Sequence, residues 1–202
     1  MYLTISSLGT WFLPNMAAWT IQQRVLSGDV ALDLVRPFGF LEQVMGQDLG
    51  TALSYIPSLV VFVPAAVLVG SLAPPTAGNA LLYLCSLGLA FLVNSLIGMH
   101  IGLLAFWMQQ VNGIRAIVGV ASGFLSGALI PLWLMPDLVR VVFSLLPFQA
   151  LAFLPASIYT GQVSGWSVLQ PLSVQVVWVG ILLLSVRWIW RRAQNRVVIH
   201  GG

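Results

Sequence analysis

The longest apolar stretch of the chain, Leu49 to Ile114, contains no Asp, Glu, Lys or Arg. One turn-forming cluster interrupts it, Ala73-Pro74-Pro75-Thr76-Ala77-Gly78-Asn79. A helix needs about 20 apolar residues to cross about 30 Å of hydrocarbon, so this stretch is too long for one span and long enough for two. The pattern predicts two membrane helices, at 49–70 and 80–104, joined by a short uncharged loop.

Three more apolar runs predict membrane helices near 1–20, 116–134 and 172–190. Pro14 lies inside the first run and predicts a kink. The fold class is therefore all-α, a single transmembrane domain over 1–202 with about five spans. Because five spans leave residue 1 outside, with no helix before the first apolar run, we expect one upstream span to be missing through a shortened or misassigned start.

Polar residues concentrate between the first two predicted spans, in region 22–48. Val30, Leu34 and Val35 predict a short amphipathic helix there, which stops before Pro37. Such a helix lies at the membrane interface, exposed to water or to a protein partner. The region holds six charged residues: Arg24, Asp29, Asp33, Arg36, Glu42 and Asp48.

The run from Ser27 to Phe38, SGDVALDLVRPF, is the most informative part of this region. Two acids and one Arg lie on a short element that a glycine and a proline bound: Gly28, Asp29, Asp33, Arg36 and Pro37. One interpretation is a solvated loop with a helix cap at Ser27 or Asp29. The other is a docking helix, because charged rims set partner choice and register at interfaces.

The apolar segment 131–171 is interrupted by prolines, which prevent a continuous helix. These are Pro131, Pro136, Pro147, Pro155 and Pro171. Non-helical backbone at membrane depth must be buried in protein or face water. We therefore predict short helices that dip into the membrane without crossing it, that is, a re-entrant helical segment. Its charged residues, Asp137 and Arg140, have the i, i+3 spacing of a helical ion pair.

Composition excludes a soluble fold, because 59% of the residues are hydrophobic and 6% are charged, against about 25% charged in globular domains. The net charge of +3 indicates topology rather than nucleic-acid binding. Seven of the eight Arg lie on one side of the five predicted spans, and Arg140 lies on the other. We therefore expect region 22–48 and the C-terminal tail to be cytoplasmic and segment 131–171 to face outward, in an inner or plasma membrane.

Three glycines of the fourth predicted span, Gly119, Gly123 and Gly127, recur at i, i+4 and i+8 and share one helix face. This spacing indicates close packing within the chain, close packing between protomers, or a mobile helix that lines a path. Gly98 and Gly102 carry the same signal more weakly.

The sequence predicts no catalytic site and no metal site. The chain contains no Lys, so it has no GxxxxGK[ST] phosphate loop, and any ATP and Mg²⁺ would be bound by a partner. Apart from Arg187 near the end of the last predicted span, His100 is the only Asp, Glu, His, Lys or Arg inside a predicted span, and it has no carboxylate partner there. A metal is not expected, because the other His is His200 and Cys85 is the only Cys.

The run at 27–38 resembles the I..G.LD..L.RP segment of ABC-2-type ATP-binding-cassette exporter permeases, in the short-permease subgroup that includes viologen exporters. The resemblance continues in LSGALIPLWLMP at 125–136, LPFQALAFLPASIYTG at 146–161 and RRAQNRVVIHGG at 191–202. It therefore extends over nearly the whole chain. Members of the family have six spans, and this chain is similar to one that lacks the first.

The resemblance implies a permease that pairs with a second copy or a paralogue and is driven by a separate cytoplasmic ABC ATPase. It implies that loop 22–48 docks on this ATPase, with these coupling residues: Arg24, Gly28, Asp29, Asp33, Arg36 and Pro37. We expect export of a hydrophobic or amphiphilic substrate, because the predicted spans are nearly free of charge. The resemblance implies a path between two permease copies. We expect helices 1–20 and 116–134 to line this path and segment 131–171 to cap its outer end as a gate.

Two other classes of membrane protein stay open at this point. A secondary transporter normally needs intramembrane carboxylates for ion coupling, and no predicted span contains one. A membrane scaffold or assembly factor would need no transport path. An ABC ATPase encoded beside this gene would separate the permease from both.

Overall fold

The computed structural model describes residues 1–108, 110–163 and 165–197. These residues form α-helices and short 3₁₀ helices and contain no strand, which confirms the predicted all-α fold. The α-helices are α1 (Tyr2–Trp11), α2 (Ala17–Ser27), α3 (Val30–Asp33), α4 (Phe40–Ser54), α5 (Ile56–Leu68), α6 (Ala77–Leu103), α7 (Asn112–Leu125), α8 (Asp137–Ser144), α9 (Phe153–Tyr159) and α10 (Leu169–Val197). The 3₁₀ helices are Leu104–Phe106, Leu132–Leu134, Pro147–Ala150 and Gly165–Val168.

Helices α6 and α10 form the centre of the bundle and run parallel to each other. Near their first turns, Gln175 donates to the carbonyl of Ser86 at 3.0 Å and accepts from the Ser86 hydroxyl at 2.8 Å. Further along, Nε2 of His100 lies 2.7 Å from the hydroxyl of Ser185. The first contact is buried and the second is half-buried between the two helices, and together they fix the register of the two longest helices.

Two stretches of the described residues are long and apolar enough to cross a membrane alone, Ala77–Phe106 and Gly165–Arg196. They contain the spans predicted at 80–104 and 172–190. Two bent helix pairs are also long and apolar enough to cross a membrane when each pair is taken as one span. These are α4 with α5, bent by 41°, and α8 with Pro147–Tyr159, bent by 78°. The described residues thus contain two to four candidate spans, where the sequence predicted about five.

Three predicted helices have different bounds in the structure. The one at 49–70 is the bent pair of α4 and α5, which is broken at Tyr55. The first apolar run is two helices rather than one kinked helix, because α1 ends at Trp11, α2 begins at Ala17 and Pro14 lies between them. Helix α7 ends at Leu125, before the predicted bound, because Gly127 takes a left-handed φ of 75°. Its 14 residues extend about 21 Å, less than the hydrocarbon core of about 30 Å.

Polar side chains of neighbouring helices bind the backbone at the gap between α1 and α2. Asn94 of α6 donates to the carbonyls of Leu13 and Pro14, at 3.0 and 3.1 Å. The amide of Met16 donates to Oδ1 of Asp48 on α4 at 3.1 Å. An unsatisfied backbone group in hydrocarbon costs several kcal/mol, so these contacts allow a broken helix inside the bundle.

Asp48 is buried between the helices, whereas the sequence placed it in the polar region 22–48. Its residue is 1% exposed, and its Oδ2 accepts from the hydroxyl of Ser95 at 2.6 Å. The expectation that no carboxylate lies among the membrane helices is therefore corrected. The hydrogen bonds of Asp48 and its position at the N-terminus of α2, where the helix dipole favours an anion, offset part of the cost of burying the carboxyl group.

The contact between α2 and α6 depends on two glycines of α6. A Cβ at Gly102 would lie 2.8 Å from Cβ of Ile21 and 3.1 Å from Cα of Ala18. A Cβ at Gly98 would overlap the side-chain oxygen of Asn15. The two backbones therefore approach closely, and the glycine pair with the weaker sequence signal is the one that packs within the chain.

We predict that Gly102→Ala destabilises the protein, because the new methyl group overlaps the Ile21 side chain. We expect a loss of about 1–3 kcal/mol, as for an overpacked core, measured as a lower thermal unfolding midpoint in detergent. Gly88→Ala is the matched control, because Gly88 lies on the same helix with nothing within 4 Å of the added carbon. The control should be neutral or slightly stabilising, and equal midpoints for the two variants would contradict the close contact.

Candidate functional site

The polar region 22–48 comprises the end of α2, a region of tight turns with one short helix, and the start of α4. Residues 27–39, which join the two helices, are called the docking loop below. Helix α2 ends at Gly28, which takes a left-handed φ of 80°, a conformation that glycine adopts at helix C-termini without strain. Helix α3 is a single turn of four residues. Pro37 follows it outside any helix, and α4 begins at Phe40. The predicted amphipathic helix is therefore present but short.

Asp33 lies inside the docking loop rather than on its surface. Nη1 of Arg24 donates to Oδ2 of Asp33 at 2.8 Å, and Nη1 of Arg36 lies 3.5 Å from Oδ1. The Asp33 side chain is only 5% exposed. Two predicted coupling residues, Arg24 and Asp33, thus bind each other, and removing either would leave a buried charge unpaired. Arg36 stays exposed and is free to face a partner.

Gln43 closes the docking loop, a role that the sequence analysis missed. Its side-chain amide donates to the carbonyls of Asp33 at 3.1 Å and Phe38 at 2.9 Å, and its Oε1 accepts from Arg36 at 3.3 Å. One side chain of α4 therefore holds both ends of the turn after α3. Backbone carbonyls belong to every residue type, so no sequence spacing identifies such a glutamine.

Asp29 lies at the rim of a groove in the docking loop. It is exposed, precedes α3 without capping it, and accepts from the hydroxyl of Ser27 at 2.6 Å. The groove has a volume of about 340 Å³. It is lined by Arg24, Asp29, Leu32, Asp33, Arg36 and Gln47. Polar and charged groups therefore surround this opening on several sides.

Three apolar side chains of the docking loop are strongly exposed, and one of them, Leu32, also lines the groove beside Arg24 and Asp33. Leu32, Val35 and Phe38 are 67%, 86% and 71% exposed. We call these three residues the docking face. Large exposed apolar side chains in the most polar region of a chain mark a surface that contacts another protein or the membrane.

Aromatic side chains join the first residue of α4, directly after the docking loop, to the C-terminal part of α10. The ring of Phe40 stacks on that of Trp190 with centroids 4.5 Å apart, and the guanidinium of Arg24 lies 5.8 Å from the centre of the Phe40 ring. The docking loop and this part of α10 therefore lie at the same end of the molecule. The basic residues of α10 that surround or follow Trp190 are Arg187, Arg191, Arg192 and Arg196. His200 and the other residues of 198–202 lie outside the described residues.

The glycines of the fourth predicted span do not pack within the chain as one face. Gly119 and Gly123 lie on α7, and nothing is within 4 Å of a Cβ built at either. Gly127 lies beyond the end of α7, and a Cβ there would meet Phe153 at 3.2 Å. The first two glycines therefore form an open surface, which continues to the exposed Ala116 one turn earlier.

The prolines of segment 131–171 begin helices rather than only ending them. Pro131 and Pro136 directly precede the helices Leu132–Leu134 and α8, and Pro147 is the first residue of the next 3₁₀ helix. Pro155 lies in the first turn of α9. A proline fits these positions because the first turn of a helix needs no amide donor.

Hydrogen bonds attach this segment to the rest of the bundle. Gln175 of α10 donates to the carbonyl of Ala150 at 2.9 Å, and the amide of Phe153 donates to the carbonyl of Ser126 at 3.0 Å. The hydroxyl of Tyr159 donates to the carbonyl of Ala73 at 3.0 Å. A cavity of about 550 Å³ lies beside it, with Trp133, Ser144, Gln149, Phe153, Ser157 and Gln170 in its wall. Hydrogen bonds therefore fix the backbone of the segment, and a cavity lies next to it.

The side chain of His100 contacts α6 and α10 and joins the two helices. Its Nδ1 lies 2.8 Å from the carbonyl of Leu96, which can only accept, so Nδ1 carries the proton. Its Nε2 lies 2.7 Å from the hydroxyl of Ser185, and the same hydroxyl lies 2.9 Å from the carbonyl of Leu182. Both ring nitrogens are thus occupied between α6 and α10.

A comparison with family models gives one match, which is described as ABC-2 family transporter protein and covers residues 1–201. The comparison with curated proteins found no significant match. The comparison with solved structures found none either.

Proposed function

The chain belongs to the ABC-2 family of transporter proteins, and on that premise we propose that it is the permease subunit of an ATP-driven exporter. The substrate is a hydrophobic or amphiphilic molecule that leaves the cytoplasm. ATP and Mg²⁺ are bound and hydrolysed by a separate ABC ATPase, and this chain itself is not an enzyme. It works in an inner or plasma membrane, in contact with lipid.

The docking face is the observation that carries this proposal. A permease that has no Lys for a phosphate loop needs a surface through which a separate ATPase acts on it. Leu32, Val35 and Phe38 provide such a surface, with the exposed cation Arg36 beside them. The buried pair of Arg24 and Asp33 then has a different role, which is to hold the docking face in shape.

We predict that Val35→Asp and Phe38→Ala each prevent the ATPase from co-purifying with the tagged permease. Each change removes exposed apolar surface that would be buried in the complex, and neither touches the buried ion pair. Trp166→Ala is the matched control, because Trp166 is equally exposed but lies between α9 and α10, far from the docking loop in the chain. Retention of the ATPase by both docking variants, or its absence from the wild-type preparation, would contradict the proposal.

Asp33 is unsuitable for this test, although the sequence analysis selected it as a coupling residue. Charge reversal there would place two arginines against a third cation inside the loop, and the loop would lose its shape. A loss of ATPase binding would then report misfolding and not a lost contact. The exposed side chains separate these two causes.

The proposed topology places the docking loop and the C-terminal end of α10 in the cytoplasm and segment 131–171 outside. The shared end of the docking loop and α10 supports it, as does the distribution of arginines. The bent pair of α8 and Pro147–Tyr159 is consistent with short helices that enter the membrane without crossing it. This segment is proposed as the outward gate of the path.

We predict that single cysteines at Asp137 and at Gln162, in a Cys85→Ser background, react with a membrane-impermeant thiol reagent added outside intact cells. Both positions are exposed and lie within the gate segment, one towards each end. A cysteine at Ser27, in the docking loop, is the control and should react only after the membrane is opened. If Asp137→Cys or Gln162→Cys reacts only from inside, the segment crosses the bilayer and the gate assignment is wrong.

A second permease copy or a paralogue is proposed to pack on α7. Gly119 and Gly123 support this, because their backbone is open to a neighbour at close range. Beside them, Ile117, Val120 and Phe124 expose apolar side chains. A helix from another subunit would fill the small-residue face and bury the larger side chains around it.

We predict that Gly123→Leu leaves the monomer folded and abolishes dimer formation. Nothing lies within 4 Å of the new side chain's first carbon inside the chain, so only an approaching subunit would collide with it. The measurement is crosslinking and mass determination in nanodiscs. Gly88→Leu on α6 adds the same volume at another open glycine and should dimerise normally. Wild-type dimerisation of Gly123→Leu would mean that this face contacts lipid.

A further inference from the structure

Helix α2 is held at both ends by carboxylates that belong to other elements. At its N-terminus, Oδ1 of Asp48 on α4 accepts from the amide of Met16 at 3.1 Å. At its C-terminal end, Arg24 donates to Asp33 of the docking loop at 2.8 Å. Between these contacts, Ala17, Ala18 and Ile21 are fully buried. An α-helix of 11 residues is about 16 Å long and stiff on this scale, so displacement of one end displaces the other.

The gap at 12–16 separates α2 from α1, and α1 belongs to the opposite part of the molecule. Ile5 of α1 packs with Ala156 and Tyr159 of α9 in one buried apolar cluster. The hydroxyl of Tyr2 donates to the carbonyl of Gly127 at 2.7 Å. Helix α1 is therefore attached to the proposed gate segment, whereas α2 is attached to the docking loop.

We propose that α2 is a strut that carries movement of the docking loop to the gap at 12–16, and that Asp48 is the positioning residue that holds this gap. The assignment rests on the proposed function, because the movement comes from the partner ATPase. Movement of α2 changes the angle at the gap and thereby moves α1 against α9. Asp48 ensures that the N-terminus of α2 stays attached to α4 while this occurs.

The carboxylate is suited to this task for a reason that an amide does not share. Asp48 uses both oxygens, one for Met16 and one for the hydroxyl of Ser95 at 2.6 Å. An asparagine of the same size would have one acceptor oxygen, and its amino group would face one of these two donors. Its neutral side chain would also lose the attraction of the α2 dipole.

The test measures the distance across the gap in the permease alone. Spin labels are attached at Ser7→Cys on α1 and Gln23→Cys on α2, both exposed, in a Cys85→Ser background. Labelled chain is diluted with unlabelled chain in nanodiscs, and the distance distribution is recorded by double electron–electron resonance. We expect one narrow distance distribution in the wild type and a broadened distribution in Asp48→Asn.

A second set of variants tests whether a change in the docking loop alters the distance across the gap at 12–16. We expect Asp33→Asn to broaden the same distribution, although Asp33 lies at the far end of α2. The double variant should be no broader than Asp48→Asn alone, because both changes act through one helix. Matched controls are Glu42→Gln on α4 and Asp29→Asn in the docking loop, which remove exposed carboxylates from the same two elements and should leave the narrow distance unchanged.

Two further variants keep the proposal testable if Asp48→Asn folds poorly. Ser95→Ala removes one donor and keeps the charge, so we expect a smaller broadening. Asp48→Glu keeps the charge and should restore the single distance that Asn loses. If Asp48→Asn and Ser95→Ala both keep the narrow distance distribution of the wild type, the proposed role of Asp48 is wrong. A narrow distance in Asp33→Asn would overturn the strut.

The complex with the ATPase separates this inference from the proposed function. With ATP and vanadate, the wild-type distance should shift, and Asp48→Asn should lose the shift while it still co-purifies with the ATPase. If no ATPase co-purifies with the wild type, the proposed function fails, and the distances in the permease alone still decide whether α2 links the loop to the gap. If the complex forms and Asp48→Asn shows the wild-type shift, the inference fails alone.

Discussion

The fold depends on how the protein satisfies the backbone at the gap between α1 and α2. A proline in an apolar run releases carbonyls and an amide inside the bundle, where water cannot replace their partners. Asn94 binds the carbonyls of Leu13 and Pro14, and Asp48 binds the amide of Met16. These contacts join α1 and α2 to α6 and α4, so one local defect organises four helices. The same contacts offset part of the cost of burying the carboxyl group of Asp48 among apolar side chains.

The gap also divides the molecule into two parts with different neighbours. Helix α2 packs along α6 through Gly98 and Gly102 and is joined to the docking loop through Arg24. Helix α1 contacts the short helices of segment 131–171. A membrane protein that couples an event at one end to a change at the other needs such a division, because a single rigid helix would allow no relative movement. In this fold Pro14 separates α1 from α2, and the buried polar side chains that bind the gap limit how far the two helices move relative to each other.

The charged residues of the docking loop illustrate how far sequence reasoning reaches. Gly28, Asp29, Asp33, Arg36 and Pro37 stood out as a bounded polar element, and the structure places them in one compact turn. Which side chains of the loop are buried was not predictable, since Asp33 is buried against Arg24 while Val35 and Phe38 are exposed. Hydropathy assigns charges to the surface and apolar groups to the interior. A buried ion pair reverses this assignment, because each charge is stabilised by the other and not by water.

The sequence by itself determined the all-α membrane fold, the two long helices and the family, because these follow from apolar length and from motifs in chain order. Only the tertiary structure decided which glycines pack, that Asp48 is buried and that the first apolar run is two helices. Gly119 and Gly123 share a helix face by spacing alone, but a glycine becomes a packing site only where another backbone approaches it. Likewise, whether a proline kinks or breaks a helix depends on nearby donors and acceptors, and these come from helices distant in the chain.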